Sequence, residues 1–133
     1  MPSLFEVTAG KLTGPTKGGT VTQATNKGTG VTLNTESGQI TMNNAALAAA
    51  AEVSFTVTNS EIAATDVVVV NHGSAGTAGS YLVAANTIAA GSYLVGVSAN
   101  AAGSFGITVT NVSGGSLSEA IVINFVALKG ASS

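Results

Sequence analysis

Strict alternation of apolar and small polar side chains is the feature that most narrows what this chain can fold into. Across residues 52–59, Val53, Phe55 and Val57 fall on one side and Ser54, Thr56 and Thr58 on the other. Across residues 104–111, Phe105, Ile107 and Val109 oppose Ser104, Gly106, Thr108 and Thr110. Period two is the signature of a strand with one buried face. Shorter strands fit residues 4–8, 20–25, 31–34 and 39–42. The unbroken valines within residues 66–71 suit a strand covered on both sides, and residues 120–128 are apolar on both faces apart from Asn124. Clusters of Gly, Asn and Ser separate these runs at about ten-residue spacing, the pattern of an all-β sandwich or barrel. Val53, Phe55, Val57, Phe105, Ile107, Val109, Ile121, Ile123 and Phe125 are its expected core.

Two stretches complicate the pattern. Residues 44–52, Asn-Ala-Ala-Leu-Ala-Ala-Ala-Ala-Glu, are strongly helix-forming behind a capping Asn, yet too short to hold a helix alone in water. They read as one or two helical turns or as an apolar loop. Further on, Gly79-Ser80-Tyr81-Leu82-Val83 recurs as Gly91-Ser92-Tyr93-Leu94-Val95 and, more loosely, as Gly103-Ser104-Phe105-Gly106-Ile107. A twelve-residue period fits a short solenoid. It equally fits successive strands of one sandwich that share turn chemistry, and the absence of the repeat from the first half favours the sandwich.

Gly, Ala, Ser and Thr supply 70 of the 133 residues, so few large side chains remain to fill a core. Burial then offsets less of the backbone entropy lost on folding, and a partner surface would help. Charge is scarce and uneven. Residues 67–118 contain no Asp, Glu, Lys or Arg, and every lysine but Lys129 lies in the first 27 positions. Monomers usually keep charge on exposed sheet edges to prevent association. Four lysines, no arginine and a net charge of −2 do not form the cationic stripe that phosphate binding requires, so nucleic acid is not expected as a partner. No apolar run approaches the length of a bilayer-spanning helix, so no membrane is expected either. Met1-Pro2-Ser3-Leu4-Phe5-Glu6 lacks a charged leader followed by an apolar stretch, so no secretion signal is expected.

Catalytic chemistry has little to draw on. Cysteine is absent, which excludes thiolate nucleophiles and thiolate metal sites. His72 is the single histidine, and Asp66, its nearest carboxylate in sequence, would stand roughly 20 Å away along a strand. His72 reads as a polar residue at a strand end. Glu6, Glu36, Glu52, Glu61, Asp66 and Glu119 form no acid-rich motif and read as solubilising charges at turns and strand ends. The glycine-rich stretches at residues 28–30 and 73–79 lack the Gly-Lys-Ser/Thr ending of a phosphate loop. Asn111-Val112-Ser113 matches a glycosylation sequon by chance. Tyr81 and Tyr93 hold matching repeat positions, as stacked glycan platforms or, more simply, as core or subunit-interface residues. No enzyme activity, cofactor or metal is expected.

The run Val21-Thr22-Gln23-Ala24-Thr25-Asn26-Lys27-Gly28-Thr29-Gly30-Val31-Thr32-Leu33-Asn34, followed by Gly38-Gln39-Ile40-Thr41-Met42-Asn43, resembles small structural proteins encoded beside the head genes of tailed bacteriophages. So do Val53-Ser54-Phe55-Thr56-Val57-Thr58-Asn59-Ser60, Ala64-Thr65-Asp66-Val67 and Gly115-Ser116-Leu117-Ser118-Glu119-Ala120. These are packing and turn motifs, spread over residues 21–128. The resemblance implies a capsid decoration, or cement, protein: a jelly-roll-like antiparallel β-sandwich made in the host cytoplasm, binding the major capsid protein on the outer surface of the virion as a homo-oligomer. A jelly roll needs eight strands, and the sequence offers about nine. The alternative function is a receptor- or glycan-binding module of a phage tail or head fibre. Residues 20–133 are expected to form the sandwich. Residues 1–19 form either a contact arm or an edge strand, with Leu4, Phe5, Lys11 and Lys17 as candidate capsid or subunit contacts beside Tyr81 and Tyr93.

An all-β chain with at most one short helix, near residues 44–51, should show less than about a quarter helix by far-UV circular dichroism; a higher content would approach that of an average globular protein.

Overall fold

The computed structural model describes residues 18–73, 75–77, 79–86 and 102–129. Eight strands fill them: β1 (Gly18–Thr22), β2 (Val31–Thr32), β3 (Ser37–Thr41), β4 (Glu52–Thr58), β5 (Val67–His72), β6 (Tyr81–Asn86), β7 (Ser104–Asn111) and β8 (Val122–Leu128). No helix occurs among the described residues. The strands form two four-stranded sheets, ordered β1-β3-β8-β5 and β2-β4-β7-β6, packed face to face as a β-sandwich. Gly18 and Gly19 already belong to β1, two residues before the expected start of the sandwich.

Alternation within the long strands sets which face is buried. In β4, Phe55 and Val57 are buried and Ser54, Thr56 and Thr58 are exposed. In β7, Phe105, Ile107 and Val109 point inward; in β8, Ile123, Phe125 and Ala127 do. Ile121 is buried just before β8, and Val53 packs against the same cluster while partly exposed. All nine residues expected in the core therefore share it. Phe105 of one sheet meets Phe125 of the other with ring centroids 5.3 Å apart, a tilted pair that ties the layers together.

The all-β sandwich is the expected one, but both of its sheets are mixed rather than antiparallel throughout. β1 runs parallel to β3, and β2 parallel to β4. Parallel neighbours need a crossover between them. Here each crossover passes through the opposite sheet: β2 lies between β1 and β3 in sequence, and β3 between β2 and β4.

The stretch at residues 44–51 is a loop. Leu47 forms an isolated antiparallel bridge with Leu117, each backbone amide donating to the other's carbonyl. Asn111 Nδ2 donates to Leu47 O at 2.8 Å, and the Ala50 amide donates to Asn111 O at 2.9 Å. Ala50 takes a positive φ of 61°. Helix propensity loses because the backbone groups that a helix would pair internally are bound to Leu117 and Asn111, 60 to 70 positions away. The valine run is also corrected. Val68 is buried, but Val67 and Val69 are exposed, because the sandwich has two layers and covers only the inner face of β5.

The repeat resolves as strand-and-turn chemistry. Gly79 and Gly103 both have positive φ, 80° and 86°, a region open to glycine at little cost, and each precedes a strand whose aromatic turns inward. β6 and β7 pair antiparallel, whereas solenoid coils would run parallel. The middle copy, with Tyr93, lies outside the described residues.

Phe55→Ala or Phe105→Ala should cost about 3–5 kcal/mol in chemical denaturation, since each leaves a cavity between the layers.

Candidate functional site

The densest polar constellation lies where the turn after β5 meets the strand entering β8. Glu119 is its hub. Its Oε1 accepts from the Thr77 amide at 3.0 Å and from the Tyr81 hydroxyl at 2.7 Å, and its Oε2 accepts from the Thr77 hydroxyl at 2.6 Å. The Thr77 hydroxyl, then the Thr77 amide, then the Tyr81 hydroxyl stabilise the carboxylate and hold its pKa down to about 2. Burial pushes the Tyr81 phenol up, and the bond to Glu119 adds to the shift. His72 meets the Tyr81 ring edge-on at 5.5 Å, and its Nε2 is hydrogen-bonded to the Ala75 carbonyl.

Lys27 reaches the same region from below. Its side chain is buried at 3% exposure, and Nζ donates to the carbonyls of Asn43 and Glu119. Burial lowers its pKa, and the Glu119 charge opposes that shift. Gln23 shapes the turn that delivers Lys27: Nε2 donates to Lys27 O and Thr29 O, both at 2.9 Å, and Oε1 accepts from the Asn43 amide at 3.0 Å.

Every polar tip in this cluster is engaged by another group of the cluster or by backbone. The carboxylate is held ionised, the phenol is held as a donor, and the ammonium is bound to carbonyls. The arrangement pins three loops together. No three His, Asp or Glu side chains among the described residues converge on a possible metal position.

The expected solubilising role fails for two carboxylates. Glu119 is the hub just described. Asp66 is buried; it accepts from Lys129 Nζ at 2.7 Å and from the Ala63 amide at 2.8 Å. The bond to Asp66 raises the Lys129 pKa. His72 and Asp66 stand at opposite ends of β5 and form no pair, as their spacing required. Tyr81 is 8% exposed and packs in the core, so its ring offers no glycan platform and no open contact surface. Leu4, Phe5, Lys11, Lys17 and Tyr93 lie outside the described residues. The sequon asparagine, Asn111, is fully buried, with Nδ2 given to the carbonyls of Leu47 and Gly115.

Sequence reasoning missed the Lys27–Glu119–Tyr81 association entirely. Nothing local signals it, because its members lie 38 and 92 positions apart. The sequence matches no protein-family model and no curated protein.

Because the folded-state pKa of Glu119 is depressed, its contribution to stability is present above the ordinary value near 4.5 and is lost as pH falls toward 2. Thermal melts should therefore show the protein weakening across that window. Glu119→Gln should be less stable at pH 7 and should lose less stability than the parent between pH 4.5 and 2.

Proposed function

We propose that the protein is a non-enzymatic virion structural protein that binds the outside of a phage capsid and stabilises the shell. The observation that carries this reading is the sandwich surface. The uncharged half of the chain leaves large apolar side chains in solvent, with Leu82 62% and Val112 54% exposed. Leu82 stands opposite Thr110 on the outer face of the β6–β7 pair, and Val112 follows β7 beside Ser80. Among the described strands that face carries a single charge, Glu52, opposite Thr110, and apolar groups on so weakly charged a face suit burial against a protein surface. The resemblance of residues 21–128 to phage head proteins names that surface as the major capsid protein and neighbouring copies of the chain. The mechanism needs no chemistry. Many copies, each contributing a few kcal/mol at a subunit junction, oppose shell opening by mass action on the bound state. The glycan-binding alternative lacks an exposed aromatic platform among the described residues, since Phe55, Tyr81, Phe105 and Phe125 are all buried.

Expanded, undecorated capsids from the phage that encodes this chain should bind it saturably and then resist heat better. Leu82→Glu combined with Val112→Glu should weaken that binding by about tenfold or more, equivalent to about 1.4 kcal/mol. Sedimentation should find an oligomer at micromolar concentration. A monomer, or no capsid binding by the parent chain, would overturn the reading.

A further inference from the structure

A second apolar patch lies on the other sheet. On the outer face of β5 and β8, Val67 stands opposite Leu128, and Val69 opposite Val126. Val67 is 41%, Val69 48% and Leu128 50% exposed. These four side chains form a stripe at one end of the sheet. The same end is acidic: Lys129 donates to Asp66 and to the Glu61 carbonyl, and the Ala127 amide donates to the Glu36 carbonyl. Asp66 pairs with that ammonium, and Glu36 and Glu61 belong to the same end of the sheet, so three carboxylates face one lysine beside the stripe.

β1 begins at this place. Gly18 pairs with Ser37, Ser37 with Val126, and Val126 with Val69, so all four occupy one row across the sheet. β1 is parallel to β3, which is antiparallel to β8. The N-terminal end of β1 therefore points toward the row that holds Leu128 and Val67. The seventeen residues before Gly18 carry Leu4, Phe5 and Val7, then Lys11 and Lys17, against one acid, Glu6. Their apolar start matches the stripe, and their excess of positive charge matches its acidic border. Reach is ample. Three strand spacings separate β1 from β5, about 14 Å, while the twelve residues between Phe5 and Gly18 can span roughly 40 Å. Residues 87–101 are also apolar but carry no charge, so they lack this complementarity.

We propose that residues 1–17 dock on their own chain, laying Leu4 and Phe5 over the Val67–Val69–Val126–Leu128 stripe with Lys11 and Lys17 against the acidic border. A tethered segment meets this site at high effective concentration, which favours its own sandwich over a neighbour's. The inference does not depend on the virion reading.

The absence of cysteine makes a disulfide test clean. Full-length Phe5→Cys/Val69→Cys, treated with oxidised glutathione, should close an intramolecular disulfide about tenfold faster than Phe5→Cys/Thr56→Cys, whose second site is exposed on the opposite sheet. Adding Lys11→Glu and Lys17→Glu should slow the first pair and leave the second unchanged. Thermal melts will verify that each variant is folded; Val69 and Thr56 are both exposed. Equal rates for the two pairs would overturn the proposal. So would faster closure by Val69→Cys/Leu94→Cys, or disulfide-linked dimers of Val69→Cys alone forming as readily, since residues 87–101 or a second copy would then cover the stripe.

Discussion

The Phe105–Phe125 contact joins two sheets that share no strand pairing with one another. Around it stand Phe55, Ile107, Ile121 and Ile123, and these few bulky residues separate a chain otherwise made largely of Gly, Ala, Ser and Thr. With so few large side chains, the layer interface has little redundancy. Each ring is a large share of the apolar area that offsets backbone entropy.

Loops then have to be secured by other means, and buried amides do much of that work. Gln23 closes the turn at residues 23–30, and Asn59 donates to Thr35 O at 2.6 Å while accepting from the Glu61 amide. Asn111 binds Leu47 and Gly115 through Nδ2 and accepts from the Ser113 amide and hydroxyl through Oδ1. Each amide satisfies backbone groups that have no sheet partner, which is what makes its burial tolerable. Lys27 is the charged version of the same device. Asp66 is buried in the same way, and Glu119, only partly buried, also holds a loop to the body.

The outer faces of the described strands carry mainly hydroxyls and valines, with Glu52 as the charge on the β4 face. The face of β4 and β7 carries Ser54 paired with Thr108, their hydroxyls 2.7 Å apart, with Thr56, Thr58 and Thr110 around them. Such a surface has little electrostatic repulsion to keep copies apart. Exposed apolar residues then sit where burial by protein is the simplest resolution: Leu82 and Val112 on one sheet, Val67, Val69 and Leu128 on the other. The two patches lie on different sheets.

Strand positions and buried faces in β4, β7 and β8 were legible from the sequence because period two is a local property, written residue by residue. The thinness of the core and the imbalance of charge were legible for the same reason, since composition needs no geometry. Pairing was not. The parallel partners of β1 and β2 follow from crossovers through the opposite sheet, and alternation within a strand carries no record of its neighbour's direction. The alanine stretch at residues 44–51 shows propensity overruled by long-range hydrogen bonds to Leu117 and Asn111. Val67 and Val69 of β5 show hydrophobicity without burial, because coverage of a strand's second face depends on whether another layer packs over it. Glu119, Tyr81 and Lys27 became a cluster only when distant loops met. The sequence by itself determined the strands and their inner faces; only the tertiary structure decided partners, direction and which charges are interior, because those depend on contacts between residues far apart in the chain.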